Sequence, residues 1–502
     1  MTFTLDRRTL VSAATAALVV GVTTACGGSD DPASTTSATD NALKFDAATF
    51  TPVTVTVDGS AMKIRQYKVV YVAKPIKMGA TLTTFNTVPL SDPYAMQTMV
   101  ISVPESMVSD QKTPIFFAVN NSGWFASPVT TSVTEGKAFV STSESDHIGA
   151  ALKAGYVVVN VGTRSRGARA EDGTWVGKAP APVVDAKAAI RYLRLNDSVM
   201  PGSAERIVMN GTSGGGGLTA AVAASGNHTD YLPYLADIGA AGVSGSGSSA
   251  ISTLKDDVFA AVAYCPINNL GNADAGYEWE YTAVRNDSNT AALGGLAYSA
   301  GPQPAASAAL AASFSGYVNG LGLKRADGSL LTDANLRATT QALMQEEIQR
   351  QIAKGTAVPP LGANFVTTRA TVANDWLTLG GSGTAATVSN IDYAKFVKYV
   401  ATNQALKTVV AFDAVGVTGN KNAATGAWNM TGETNLFGSS AQTYANFTEW
   451  TWLNNQVPGD DSGHVAAVLH RERHCAGRRQ LDHLGQELAL LLAGDGGDRQ
   501  HA

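Results

Sequence analysis

Residues 206–217 decide the fold; they read Arg-Ile-Val-Met-Asn-Gly-Thr-Ser-Gly-Gly-Gly-Gly. The apolar run over residues 206–210 predicts a strand buried on both faces of a parallel sheet. Small residues over 218–224 predict a helix directly after the glycines. Between the two elements, Gly211-Thr212-Ser213-Gly214-Gly215 fits the pattern G-x-S-x-G. In this context the pattern predicts a sharp strand-to-helix turn that exposes a serine at the edge of a sheet.

Such a turn supports nucleophilic catalysis by Ser213. Glycines on both sides let the strand and the helix pass close together, and the serine lies at a helix N-terminus. Backbone N–H groups there favour a developing oxyanion, so the N–H of Gly214 is a predicted donor. The alternative is a phosphate-binding turn, but no lysine follows as in a P-loop and the G-x-G-x-x-G spacing is not met. We therefore interpret Ser213 as the nucleophile.

A second loop fits the same chemistry. The predicted strand over residues 114–119 is followed by Asn120-Asn121-Ser122-Gly123-Trp124. An α/β-hydrolase places its oxyanion loop at this position, and small residues let a backbone N–H face a carbonyl. Ser122 and Gly123 are thus candidate oxyanion donors, with an ordinary turn as the alternative.

The wider pattern predicts an α/β fold, an α/β-hydrolase with a mostly parallel central sheet. Predicted strands and helices alternate, as in an α/β layer; the strands cover residues 53–57, 64–73, 98–103, 114–119, 155–161, 206–210 and 258–264, and the helices cover 185–195 and 218–224. Residues from about 268 to 403 are helical in pattern and Ala-rich, which predicts a large inserted helical cap. The strand series resumes at 406–412.

Composition and cysteine spacing give no support for nucleic-acid binding or for a zinc site. The 502 residues form either one large catalytic domain with an insertion or two domains. A net charge of −5, with 15% charged residues, gives no reason to expect a nucleic-acid partner. The three cysteines, Cys26, Cys265 and Cys475, show no zinc spacing and allow at most one bridge, between the last two. No metal or organic cofactor is implied.

The N-terminus is a predicted export signal. Residues 1–25 contain Arg7-Arg8, a short apolar run and small residues, which indicate a signal peptide too short to span a membrane comfortably. Cys26 follows Ala25 as in a bacterial lipobox, so we expect lipidation there; a plain signal peptide is the alternative, and Arg7-Arg8 also resembles a twin-arginine signal. Residues 26–44 read as a flexible Ser/Thr-rich tether. We expect an exported protein, lipid-anchored to the cell envelope (outer membrane, periplasm or cell surface), with membrane contact only through Cys26.

Several separate motifs, in order, resemble bacterial tannase and the subtype B tannase-like esterases. They include Gly177-Lys178-Ala179-Pro180, Tyr264-Cys265-Pro266-Ile267, Tyr277-Glu278-Trp279 and Asn435-Leu436-Phe437-Gly438. The resemblance covers about residues 45–455 within a predicted domain at 45–456. It implies a serine esterase that hydrolyses phenolic-acid esters of the galloyl type, small-molecule substrates, through an acyl-enzyme on Ser213. A feruloyl or general carboxylesterase, or a ligand-binding lipoprotein without catalysis, are the alternatives.

Residues 457–502 depart from that family. They contain no Phe, Tyr or Trp, hold five of the seven histidines, and lack the family patterns H-G-x-x-D-R-D and His-x-Gly-Asp. Either this tail supplies a divergent base, His474 or His483, oriented by Asp482 or Asp460, or its reading frame is shifted near residue 457. We favour the shifted frame, with which the chain as written is expected to be nearly inactive and its sheet to lack the last strand.

Three other polar residues are weaker candidates. His147 precedes a helix and is interpreted as an ordinary polar position, and His228 as a surface loop residue. Asp413 follows the strand predicted at 406–412, but the corresponding family segment is structural.

The shifted-frame hypothesis makes a prediction about the gene. Another frame downstream of codon 457 should encode a segment that contains aromatic residues together with Asp and His motifs. Translation of all three frames from the determined DNA sequence tests this. The hypothesis is wrong when none of the three frames contains such a segment.

Overall fold

The computed structural model of the chain describes residues 37–83, 87–143, 146–174, 176–177, 180–267, 273–284, 303–366 and 371–403. The predicted signal peptide, the lipidation site Cys26, the strand at 406–412 and the tail at 457–502 lie outside these ranges. In the part of the chain that the structure describes, no helix is both long and apolar enough to cross a bilayer.

The described strands, in chain order, are β1 (Thr51–Val57), β2 (Ser60–Val70), β3 (Thr81–Thr83), β4 (Thr87–Pro89), β5 (Thr98–Pro104), β6 (Pro114–Val119), β7 (Ala138–Phe139), β8 (Val157–Val161), β9 (Ser203–Thr212), β10 (Val243–Ser244), β11 (Ile251–Ser252), β12 (Ala260–Tyr264), β13 (Asn364–Val366), β14 (Thr371–Ala373), β15 (Leu377–Gly380) and β16 (Thr387–Ile391). The described α-helices are α1 (Ala38–Ala42), α2 (Ile148–Lys153), α3 (Ala181–Leu195), α4 (Gly214–Ala224), α5 (Leu232–Asp237), α6 (Ala273–Tyr281), α7 (Gln303–Gly320), α8 (Asp333–Ala353) and α9 (Tyr393–Asn403).

Eight of these strands form one sheet in the order β12-β9-β6-β8-β5-β2-β1-β7. The pairs β12–β9, β9–β6 and β6–β8 are parallel, as is β1–β7 at the far edge. The pairs from β8 through β5 and β2 to β1 are antiparallel. This arrangement confirms the predicted α/β fold with a mostly parallel central sheet, and it places Ser213 directly after an interior strand.

The central strands are apolar throughout because both faces of the sheet are covered. In β8, Val157, Val159 and Val161 pack in the main core, which also contains residues of α3 and α4. Val158 points to the other face, where it belongs to a cluster with Leu152 of α2. Successive residues of a strand face opposite sides, so two covered faces require the continuous apolar run seen in the sequence.

Helix α4 begins four residues before the predicted start, at Gly214 rather than Leu218. Glycine is a poor helix former, so the run of four glycines argued against a helix there. Their small size lets this turn lie against the sheet, and that contact outweighs the low propensity.

The insertion has cores of its own and is not wholly helical. Four helices, α6 to α9, agree with the expected helical character, but the hairpins β13–β14 and β15–β16 were not predicted. One buried cluster contains Tyr281, Trp376 and Phe396, and another contains Phe314 and Leu336. The β15–β16 hairpin is possible because Gly381 and Gly383 take the left-handed backbone of its turn.

A buried ion cluster joins α3, the end of α4 and the segment before β12. Asp256 is fully buried and accepts hydrogen bonds from Lys187 Nζ (2.8 Å) and Arg191 Nε (2.7 Å). Lys187 also donates to the carbonyl of Ser225, at the end of α4. The Asp256 carboxylate pairs with both cations, so the three buried charges are stable together. Removal of the carboxylate leaves the cations without that partner.

Asp256→Asn is therefore expected to destabilise the fold by about 3–5 kcal/mol, since it leaves Lys187 and Arg191 buried without an anion. Urea unfolding measures this loss. The matched control is Glu171→Gln, which breaks the exposed pair with Lys77 and should leave the midpoint unchanged. Equal midpoints for Asp256→Asn and the unmodified chain would contradict the assignment.

The same variant has an expected pH dependence. Burial alone would raise the pKa of Asp256, but the charges of Lys187 and Arg191 outweigh it and hold the pKa below its ordinary value. The folded pKa is thus lower than the unfolded one, so the contribution of Asp256 is complete above about pH 4 and is lost as the pH falls through the folded pKa. The stability gap between the two chains should shrink in acid.

Candidate active site

Ser213 occupies a strained turn between β9 and α4. Its backbone has φ 58° and ψ −120°, a conformation that costs a non-glycine residue about 1–3 kcal/mol and persists only where neighbours hold it. The Ser213 N–H donates to the carbonyl of Tyr264 (2.9 Å), and the Ser213 carbonyl accepts from the N–H groups of Gly217 (2.9 Å) and Ile267 (3.1 Å). The side chain is half-buried. The end of β12 and the residues after it therefore fix the turn.

The glycines around Ser213 are required by close backbone contacts. A Cβ on Gly211 would lie 2.3 Å from the carbonyl oxygen of Gly215, and a Cβ on Gly216 would lie 2.5 Å from that of Tyr264. No side chain fits at such distances. The first turn of α4 thus lies directly on β9 and β12, which keeps the serine at the carboxyl edge of the sheet.

The loop after β6 lies beside this turn. A Cβ on Gly214 would lie 2.1 Å from the carbonyl oxygen of Asn121 and 2.4 Å from the backbone nitrogen of Trp124. Residues Ser122–Trp124 form one 3-10 turn, in which Gly123 takes φ 57°. The structure therefore brings Ser213, Gly214 and the predicted oxyanion loop together.

The three candidate donors are available. None of the hydrogen bonds between described residues uses the backbone N–H of Ser122, Gly123 or Gly214. Behind them, the buried Asn121 side chain donates to Thr163 Oγ1 (2.7 Å) and to the carbonyl of Phe125 (3.1 Å). These bonds hold the loop in place.

His147 lies closer to this site than the sequence indicated. Its ring stacks on that of Tyr264, with the centroids 5.2 Å apart and the planes 12° from parallel. Tyr264 is also the residue whose carbonyl binds the Ser213 N–H. A signal was present: the helix that precedes a parallel strand begins at the carboxyl edge of the sheet, and His147 directly precedes α2.

The other candidates are spread more widely. His228 lies beyond the C-terminal end of α4, the end opposite Ser213, where its ring nitrogen accepts the N–H of Asp230 (3.4 Å). Cys265 is an exposed free thiol beside Tyr264. The remaining candidates for acid, base or bridge lie outside the described residues: Asp413, Asp460, His474, Cys475, Asp482 and His483. Among the described residues, no cluster of His, Cys, Asp and Glu side chains has the arrangement of a metal site.

Comparison with known proteins agrees with this geometry. The BD-FAE family model matches residues 101–301, which contain both the loop after β6 and Ser213. No curated protein sequence matches the chain significantly.

Solved structures of bacterial tannases are similar over most of the chain. A tannin acyl hydrolase in complex with ethyl gallate is 29% identical, covers 85% of this chain and 83% of its own, and has a TM-score of 0.55. A tannin acyl hydrolase in complex with 3,4-dihydroxybenzoate is 29% identical over 85% and 82%, with a TM-score of 0.54. The tannase of Fusobacterium nucleatum is 28% identical over 85% and 81%, with a TM-score of 0.53.

These findings confirm the resemblance drawn from the sequence motifs. The fold, the BD-FAE match and the similarity along most of both chains agree with one another. The chain has an α/β-hydrolase fold similar to that of bacterial tannases, and this similarity supports carboxylic ester hydrolase activity.

Proposed function

We propose that the chain is a serine esterase that hydrolyses esters of phenolic acids through an acyl-enzyme on Ser213. One observation carries the proposal: a serine with φ 58° stands at a strand-to-helix turn, and Gly214, the residue after it, lies against the loop that contains Ser122 and Gly123. A strained serine at a helix N-terminus, with open backbone donors on two sides, matches the needs of acyl transfer.

The reaction has two steps. Ser213 Oγ attacks the ester carbonyl while a general base accepts the hydroxyl proton; the tetrahedral oxyanion then collapses, and the alcohol leaves with that proton. Water then attacks the acyl-enzyme by the same route, which releases the acid and restores the serine. The N–H groups of Gly214 and of Ser122 or Gly123 stabilise the oxyanion in both steps.

The substrate class rests on the related proteins. Tannin acyl hydrolases bind ethyl gallate and 3,4-dihydroxybenzoate, an ester and an acid that carry phenolic rings. A phenolic acyl group on a small alcohol is therefore the substrate we propose for this chain.

Ser213→Ala is expected to abolish ester hydrolysis, with a loss of at least about 1,000-fold in kcat, because the nucleophile is removed. Because the chain as written is expected to be nearly inactive, hydrolysis of methyl gallate, methyl ferulate and p-nitrophenyl acetate is measured for the full-length enzyme with its C-terminal reading frame repaired and for its Ser213→Ala variant. Labelling of Ser213 by a fluorophosphonate, located by mass spectrometry, is an independent readout.

The outcomes separate the alternatives. Preference for methyl gallate supports the phenolic-ester assignment, and preference for methyl ferulate indicates a feruloyl esterase. High activity on p-nitrophenyl acetate alone indicates a general carboxylesterase. Equal hydrolysis by the Ser213→Ala variant, or no labelling of Ser213, would falsify the proposed nucleophile.

Gly214→Ala tests the close contact between the two sides of the oxyanion site. The added Cβ would lie 2.1 Å from the Asn121 carbonyl oxygen, so the loop must move away. Because a misplacement of about 1 Å is costly in catalysis, kcat should fall about 100-fold. Gly316→Ala is the matched control, since Gly316 also lies in a helix but has open space around it. That variant should keep full activity; equal activity in both variants would contradict the contact.

A further inference from the structure

We infer that Trp124 is a positioning residue that couples the oxyanion loop to the nucleophile turn. This inference rests on the proposed function, because it assigns a role within the same site. It goes beyond that function in assigning a role to a side chain whose contacts are with Ile267 and Gly217.

A short hydrogen-bonded path runs from the Trp124 ring to Ser213. The indole Nε1–H donates to the carbonyl of Ile267 (3.1 Å). The N–H of Ile267 in turn donates to the carbonyl of Ser213 (3.1 Å). One residue, Ile267, thus binds the loop after β6 with its carbonyl and the nucleophile turn with its N–H.

The ring itself lies between the loop and α4. Trp124 is only 3% exposed, and a Cβ on Gly217 would lie 2.7 Å from its Cζ2 atom. The fourth glycine of the run therefore makes room for the indole. Because the ring fills this space, the loop and the first turn of α4 are held at a fixed separation.

The backbone of Trp124 is also held in an unfavourable conformation. Its φ is 59°, next to Gly123 at 57°, so two consecutive residues are left-handed. Its carbonyl accepts a hydrogen bond from the Ser165 hydroxyl (2.5 Å), and its N–H donates to the carbonyl of Asn121 (2.8 Å). A bulky side chain adopts such a backbone only where contacts hold it, and these contacts determine where the N–H groups of Ser122 and Gly123 point.

Trp124→Phe is the decisive variant, since it keeps a buried aromatic ring but removes both the N–H donor and part of the indole that fills the space beside Gly217. We expect kcat on p-nitrophenyl acetate to fall about 10-fold with little change in KM, because a misplaced oxyanion donor affects the transition state and not the bound ester. The affinity for phenylboronic acid, which forms a tetrahedral adduct on the serine, should weaken by a similar factor. Ser165→Ala removes the hydroxyl bond to the Trp124 carbonyl and should produce a smaller loss in the same two readouts.

Trp376→Phe is the matched control. Trp376 is 6% exposed and packs in the buried cluster that contains Tyr281 and Phe396. The same chemical change is therefore made away from Ser213. It should leave kcat and the boronate affinity unchanged. Thermal melting identifies any variant that has not folded. If Trp124→Phe has not folded, the kcat and the boronate affinity of Ser165→Ala test the inference instead.

Failure of the proposed esterase mechanism and failure of the role of Trp124 give different results. Hydrolysis that survives in Ser213→Ala overturns the proposed esterase mechanism. A folded Trp124→Phe whose kcat and boronate affinity stay within twofold of the unmodified chain, in an enzyme that does depend on Ser213, overturns this inference alone. A kcat loss of the same size in Trp376→Phe overturns it as well, because the effect would then be one of general packing.

Discussion

The hydrogen bonds between Ser213 and the residues at the end of β12 are the constraint on which the site depends. The backbone of Ser213 costs about 1–3 kcal/mol, while each hydrogen bond contributes about 1 kcal/mol. Three bonds to the Ser213 peptide groups, from or to Tyr264, Gly217 and Ile267, are therefore of the right size to offset the strain. Without them the turn would relax and the hydroxyl would leave the edge of the sheet.

The opposite end of α4 is held in a different way. There the carbonyl of Ser225 accepts a hydrogen bond from Lys187, which is paired with the buried Asp256 just before β12. Helix α4 is thus fixed at its first turn by backbone contacts without side chains, and at its last turn by buried charges. Asp256 lies four residues before β12, which ends at Tyr264. Both ends of α4 are therefore held by residues at or near the ends of the same strand. The position of the serine is fixed relative to that strand.

The sequence predicted those parts of the molecule that local pattern controls. Apolar runs identified β5, β6, β8, β9 and β12 to within a few residues, and the glycines around Ser213 predicted the turn. The hydrogen bond from Trp124 to Ile267 was not predictable, because 143 residues separate the two and no periodicity connects them. The His147–Tyr264 stack was missed for the same reason. In the insertion, the hairpins β13–β14 and β15–β16 were missed because their strands are short, and the turn of the second depends on Gly381 and Gly383 rather than on a hydrophobic period.

In the described site, the nucleophile and the predicted oxyanion donors can be considered separately from the groups that transfer the proton. All the contacts described for Ser213, Gly214 and the loop at Ser122–Trp124 come from residues before position 268. Among the described residues, Ser213 and the predicted oxyanion loop are therefore held by the sheet, α4 and the residues just after β12. In serine hydrolases, oxyanion stabilisation and binding retain about 10³–10⁴-fold of rate acceleration when the proton-transfer groups are removed. In the mechanism we propose, the oxyanion donors therefore lie between β6 and the residues after β12, and the task of the acid and base is to move the proton.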